Sequence, residues 1–336
     1  MRNLTIAKIN KRFWMEVVRF ARTKFFYRLL YVSWWHSLFY KPKGSEQSHA
    51  HLAAVPNPGA GIGHQMANWI AGLWFSRQFG LHYAHIPFSS KQWDHLLGFG
   101  EGQITLDLLV ENQAFRKVLL PLFDEFNQVE VDQVKNIIAS YGNEKVVFLL
   151  EQDQFYRDQF GVIDDIQERF YNATARKNDQ LRFLSENFNI ALHVRRGDIT
   201  VGQVNKNPNL LMRWQDAQYF KNVLEVVIAS LNTKKKVKVY LFSQGTREEF
   251  TEFEKLGEVE YCLEENAQES FLHMVFADLL ITSKSSFSYK PALLSKGIKV
   301  VPRHFWHGYP NDCNWIIANE DGSLNRESIN KLSSVY

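Results

Sequence analysis

Only two cysteines, Cys262 and Cys313, occur in 336 residues. That excludes a disulfide-built scaffold, and no C-x-x-C pair or histidine cluster has the spacing of a zinc site. Two isolated thiols read as buried free cysteines, which suits a reducing compartment. Long hydrophobic runs are missing as well. The longest uncharged candidate, Leu29 to Tyr40, has twelve residues and contains His36, against the ~18–20 that a membrane-spanning helix needs. Nor does the start read as a secretory signal, because positive charges interrupt its apolar residues as far as Arg28. No repeat or low-complexity tract is present.

Acid is scarce at one end only. Residues 1–44 hold ten Lys and Arg against one acid, Glu16, leaving 29 basic and 35 acidic residues for the rest. A basic head on a mildly acidic body points to an anionic surface met by the head alone. At ~100° per residue, Ile6, Ile9, Phe13, Val17 and Phe20 share one stripe, and Lys8, Lys11, Arg12, Arg19 and Arg22 the opposite one. Such a helix suits a membrane interface, with its bases on anionic headgroups and Trp34 and Trp35 near headgroup level. A helix packed on the protein's own body is the alternative. Nucleic acid is disfavoured, since no further basic patch accompanies the helix. The polar stretch Lys41 to His49 reads as the linker.

The chain as a whole has a globular composition: 45% hydrophobic and 22% charged residues exclude the disordered and collagenous classes. The length suits two domains. Strands are predicted at His51–Val55, Tyr83–Phe88, Val146–Glu151, Ile190–Val194, Val237–Ser243, Val259–Cys262, Leu279–Thr282 and Lys299–Val301. Helices are predicted at Gln65–Phe79, Ala217–Ser230, Arg247–Leu256, Ala267–Phe276 and Tyr289–Ser295. This alternation specifies an α/β protein with parallel sheets covered by helices on both faces. The expected division is 1–44 as membrane-surface segment and linker, 45–180 as one Rossmann-like domain and 181–336 as a second, with a cleft between them.

Three stretches carry chemistry. In His193-Val-Arg195-Arg196-Gly-Asp198 an apolar strand ends in paired arginines. Two guanidiniums are costly to bury there unless an anion is present, and their forks match phosphate oxygens. Gly197 permits a tight turn, and Asp198 is placed to hold an arginine. An exposed salt bridge is the bland alternative; an integrin-type Arg-Gly-Asp is poor, since nothing marks the chain as extracellular. Gly59-Ala-Gly61-Ile-Gly63-His-Gln65 follows a strand and opens a helix, where backbone N–H groups suit a phosphate. It lacks the acid of a dinucleotide fingerprint. Thr282-Ser-Lys-Ser285-Ser286-Phe287-Ser288 opens a later helix, where its hydroxyls either bind phosphate or cap the helix.

In order and context these stretches resemble the motifs of the fucosyltransferase superfamily: G-x-G-x-Q, then H-x-R-R-x-D, then a late S-S-F-S, which looks closest to the bacterial-style α-1,2 branch. The resemblance covers roughly residues 55 to 305. It implies a GT-B architecture, with an acceptor-side N-terminal domain and a donor-binding C-terminal one, a GDP-fucose donor, inversion at the anomeric carbon, and neither metal nor other cofactor. Arg195 and Asp198 take the catalytic positions. Gly61, Gly63, Gln65, His193, Arg196, Ser285, Ser286, Phe287 and Ser288 fall in the donor site. The family aspartate that reads guanine corresponds to Ser270, with Glu269 beside it as a substitute. An acidic pair after the next strand is Gln244-Gly245 here, and the base of the α-1,6 branch corresponds to Gln203. The expectation is therefore fucose transfer to a glycan or lipid-linked glycan of a cell-surface polysaccharide or glycoconjugate, at the cytoplasmic face of a membrane. Another nucleotide sugar, or a non-catalytic subunit binding sugar nucleotide or glycan in a membrane assembly, are the competing readings.

Overall fold

A computed structural model describes Phe20 and residues 50–57, 59–151, 156–200 and 208–334. The rest of the basic head, its linker and Gln203 lie outside the described residues. The described residues form two wholly parallel sheets flanked by helices. In the first, β1 (His51–Ala54), β2 (His82–Tyr83), β3 (Arg116–Leu119) and β4 (Val146–Leu150) lie in the order β2-β1-β4-β3. The second holds β5 (Asn187–His193), β6 (Lys236–Ser243), β7 (Glu258–Leu263), β8 (Leu279–Ile281), β9 (Ile298–Pro302) and β10 (Trp315–Ala318), in the order β10-β9-β8-β5-β6-β7.

Every residue of β5 is buried, as a central strand covered on both faces must be. Its side chains alternate between two cores. Ile190 and Leu192 join Val239 and Leu241 of β6 on one face, while Ala191 joins Tyr240 and Phe242 on the other. That second face shares one apolar cluster with the first sheet, including Met66, Ile70 and Phe148. The two halves therefore meet through a continuous core.

The junction runs through two helices, Ile62–Gln78 after β1 and Ser286–Leu294 after β8. Their starts touch at Gly63, where an added Cβ would lie 2.7 Å from the Ser286 Cβ. A third helix, Ile163–Asn172, closes the other end of Ser286–Leu294. Gln167 Nε2 donates to the Leu293 carbonyl at 2.9 Å and the Tyr171 hydroxyl to that of Leu294 at 3.1 Å. Two carbonyls orphaned at the helix end are thus satisfied.

Several expectations change. Tyr83–Phe88 shortens to the pair His82–Tyr83, and Arg247–Leu256 is a 3-10 segment kinked at Phe250. Unforeseen strands at Arg116–Leu119 and Trp315–Ala318 occupy sheet edges. Unforeseen helices at Gln128–Ser140, Ile163–Asn172 and Arg326–Ser334 cover the sheets. Cys262 is buried in β7, where burial pushes its thiol up to about 12. Cys313, expected to be buried, is exposed because it lies in the turn leading into β10. Among the described residues no helix is long and apolar enough to cross a membrane.

Gly63→Ala should destabilise the protein by ~1–3 kcal/mol, the usual cost of overpacking a tight contact. Gly61 has nothing within 4 Å of its missing Cβ and is the N-cap of the same helix, so Gly61→Ser should be neutral. Denaturant titration of both variants measures the difference; superimposable midpoints would show that the helices part without penalty.

Candidate functional site

The carboxyl ends of β5, β6 and β7 enclose a cavity of about 250 Å³. Residues 193–196 and Asp198 line it from β5 and its turn, and Phe242, Ser243 and Gln244 from β6. Glu264 and Glu265 follow β7, Ala267 and Ser270 come from the next helix, and Phe287 from the junction helix. This is where an open parallel sheet offers ligand space.

Arg195 is held at two points. One terminal nitrogen donates to Ser285 Oγ at 3.0 Å, and the other to both oxygens of Asp198 at 2.9 Å. Gly197 makes the second contact reachable. At φ +73° it reverses the chain, and a Cβ there would lie 2.1 Å from Gln244 Oε1, so no other residue fits this turn without displacing Gln244. The Arg195 side chain is 21% exposed and that of Asp198 61%. A pair this wet contributes little stability but fixes the guanidinium's direction. Arg195 Nε is buried without a partner.

Ser285 caps the junction helix by accepting from the Phe287 amide at 3.2 Å, the same hydroxyl that Arg195 touches. Ser288 is buried and binds back to the amide of Ser283 at 3.2 Å. Ser286 is buried against Gly63. His193 is buried, with Nδ1 2.8 Å from Ser283 Oγ and its ring against Phe287. Burial, aided by the Arg195 charge, lowers its pKa to about 3. It is a neutral hydrogen-bonding group near pH 7.

The other expected site residues divide between the cavity and its surroundings. Arg196 also lines the cavity, and its guanidinium donates to the carbonyls of Arg195 and Gln215 at 2.9 and 3.1 Å and lies 4.4 Å above Trp214. Burial lowers its pKa, opposed by the charges of Glu249, Glu252 and Asp216. Gln65 is buried. Its amide nitrogen donates to the Ala60 carbonyl and Ser89 Oγ, and its oxygen accepts from the Ser89 amide. With Gly61 and Gly63 it braces the first helix's start outside the cavity lining. Ser270 lines the cavity, whereas Glu269 is exposed outside it, one position round the helix.

Glu264 and Glu265 escaped the sequence reading. Glu264 adopts a left-handed φ of +53°, and its carboxylate accepts from the Gly245 amide at 2.8 Å, tying the loops after β6 and β7. Glu265 pairs with Arg182 but keeps Oε2 buried and without a partner. Their signal was position alone, immediately beyond a predicted strand. Among the described residues no three His, Cys, Asp or Glu side chains converge on a metal position.

No family model matches the sequence, and no curated protein matches it. Solved structures do. POFUT1 in complex with GDP is 9% identical with a TM-score of 0.42, over 76% of this chain and 99% of that one. Fucosyltransferase NodZ from Bradyrhizobium is 11% identical with a TM-score of 0.43, over 74% of this chain and 94% of that one. ADP-heptose LPS heptosyltransferase II of E. coli is 10% identical with a TM-score of 0.38, over 80% and 89%.

The unfolded chain protonates a histidine near pH 6.5, while folded His193 resists protonation down to about 3 and His307, also through burial, to about 2. The unfolded state therefore binds more protons below pH 6.5, and stability should fall as pH drops from there towards 3. His193→Gln should remove about one proton from that slope, ~1.4 kcal/mol per pH unit. Denaturant titrations between pH 6.5 and 4 provide the comparison, and identical slopes for variant and wild type would contradict the buried neutral imidazole.

Proposed function

We propose that the chain is an inverting, metal-independent glycosyltransferase of GT-B architecture that transfers fucose from GDP-fucose to a glycan acceptor. The observation carrying this reading is Arg195, fixed between Ser285 and Asp198 at a cavity beyond the strand ends. When a glycosyl–phosphate bond breaks, negative charge grows on the departing diphosphate. A guanidinium already oriented by two partners stabilises that charge without reorganising. His193, uncharged and bonded to Ser283, shapes the wall behind it. Glu264 and Glu265 supply carboxylate acceptors in the same cavity, which suit the N1–H and amino donors of guanine. They stand in for the carboxylate that Ser270 cannot provide.

The test is turnover of GDP-fucose against a panel of other nucleotide sugars. Arg195→Lys should lower transfer at least ~10²–10³-fold, because a point charge lacks the fork that meets two oxygens. Wild-type turnover in that variant, or a strict need for added Mg²⁺ or Mn²⁺, would refute the assignment.

The basic head supports a second element of this proposal, attachment to an anionic membrane surface at the cytoplasmic face, where a lipid-linked glycan would be met. Full-length protein should sediment with anionic vesicles in preference to neutral ones and detach as salt rises. Removing residues 1–40 should abolish sedimentation and leave nucleotide binding intact. Failure of the full-length chain to bind vesicles would favour packing of the head on the body instead.

A further inference from the structure

The two carboxylates of the cavity are not equivalent. Glu264 is exposed and spends one oxygen on the Gly245 amide. Glu265 is half-buried, and its two oxygens have different fates. Oε1 accepts from a terminal nitrogen of Arg182, while Oε2 is buried and has no hydrogen-bond partner among the described residues. A buried carboxylate oxygen without a donor is costly. Glu265 lines the cavity, so an N–H donor entering there relieves that cost.

Arg182 is built into this wall. It stands between helix Ile163–Asn172 and β5, where the chain crosses from the first sheet to the second. Its backbone is fixed on both sides: its amide donates to His273 Nε2 at 3.0 Å, and its carbonyl accepts from the Tyr240 hydroxyl at 3.4 Å. His273 Nδ1 lies 2.7 Å from the Glu269 carbonyl. A carbonyl only accepts, so Nδ1 carries the proton and Nε2 is left to accept. His273 is buried in helix Ala267–Phe276, the helix that supplies Ala267 and Ser270 to the cavity. Phe183 adds ring contacts at 4.8 Å to Tyr240 and 5.1 Å to His273. The backbone carrying Arg182 is thus tied to the helix that walls the site.

From that fixed backbone the guanidinium meets Glu265, with Glu260 Oε1 and Cys262 Sγ each at 3.7 Å. The Arg182 side chain is 42% exposed and that of Glu265 15%. A pair with one wet partner adds little stability; what it supplies is direction. With Oε1 anchored, only the soft terminal torsion of Glu265 remains, and Oε2 turns about that anchor to meet a donor in the cavity. We propose that Glu265, positioned by Arg182, selects the nucleobase, its Oε2 accepting from the exocyclic amino group that guanine carries beside its ring N–H. This rests on the guanine reading of the cavity. Arg182 itself touches no ligand and acts through Glu265.

Calorimetry of the full-length protein with GDP, with inosine diphosphate, which lacks only that amino group, and with ADP and UDP tests it. The wild type should bind GDP about 10- to 100-fold more tightly than inosine diphosphate, the range of one hydrogen bond to a charged group, because a site built for a donor rejects the analogue lacking it. Glu265→Gln should bring that ratio within about threefold, since its amide nitrogen would face the amino group donor to donor. Arg182→Gln should lower the ratio in the same direction, and Arg182→Lys should restore part of it. Glu260→Gln, which leaves the contact between Arg182 and Glu265, should keep the wild-type ratio. If Arg182→Gln does not fold, Glu265→Gln and Arg182→Lys decide. A wild-type ratio in Glu265→Gln, or equal weakening of GDP and inosine diphosphate in the Arg182 variants, would overturn the inference while GDP stayed the preferred diphosphate. So would a wild type that does not separate GDP from inosine diphosphate. Tighter binding of ADP or UDP than of GDP would overturn instead the guanine reading on which it rests.

Discussion

Keeping a guanidinium half out of water at a strand end is the constraint on which the rest of this structure depends. Arg195 loses hydration on entering the site, and that loss is offset only where acceptors wait in fixed positions. Ser285 and Asp198 are those acceptors. Each is placed by a different device. Asp198 returns to Arg195 because Gly197 adopts a conformation that other residues resist. Ser285 is held because it caps a helix pressed between the two halves of the molecule. A local turn and a long-range packing contact therefore converge on one side chain.

The junction helix explains why the halves cannot be treated separately. Its start meets the first helix at Gly63 and its end is closed by Gln167 and Tyr171. Its own residues Leu293 and Tyr289 belong to the cluster that contains Met66 and Phe148 of the first half. Interiors packed this tightly transmit displacement rather than absorb it. The glycine turn accordingly serves the site as a brace. Gly63 permits close approach, Gln65 ties the helix to Ser89, and neither lines the cavity.

The central strands and their order of alternation with helices were legible because parallel strands buried on both faces read as unbroken apolar runs. Ile190–Leu192 within Asn187–His193 and Val239–Phe242 within Lys236–Ser243 are such runs. Arg116–Leu119 was not legible. As an edge strand it buries only Val118 and exposes Arg116, Lys117 and Leu119, so four residues carry no apolar run. Helix Gln128–Ser140 did leave a signal, Val134 with Ile137 and Ile138 at helical spacing, though only a few apolar residues carried it. Within the site, Arg195 contacts both Asp198 and Ser285, residues of two of the quoted motifs. Arg196 could not be distinguished from Arg195 by sequence, since adjacent residues leave a strand end in different directions.

The placement of charge across the sheet has a consequence for how a ligand lies in the cavity. Arg195 ends β5, Glu264 and Glu265 follow β7, and β6 lies between. Two interstrand spacings separate the cationic from the anionic end, roughly 10 Å. That is comparable to the reach of a nucleotide from base edge to phosphate. For the nucleotide proposed above, phosphate towards β5 meets guanidinium and base donors meet carboxylate; entered the other way, phosphate would face Glu264, since Glu265 is paired with Arg182. Like-charge juxtaposition costs several kcal/mol at such a site. Under that proposal, orientation follows from the order of strands in the sheet, before any contact with the sugar.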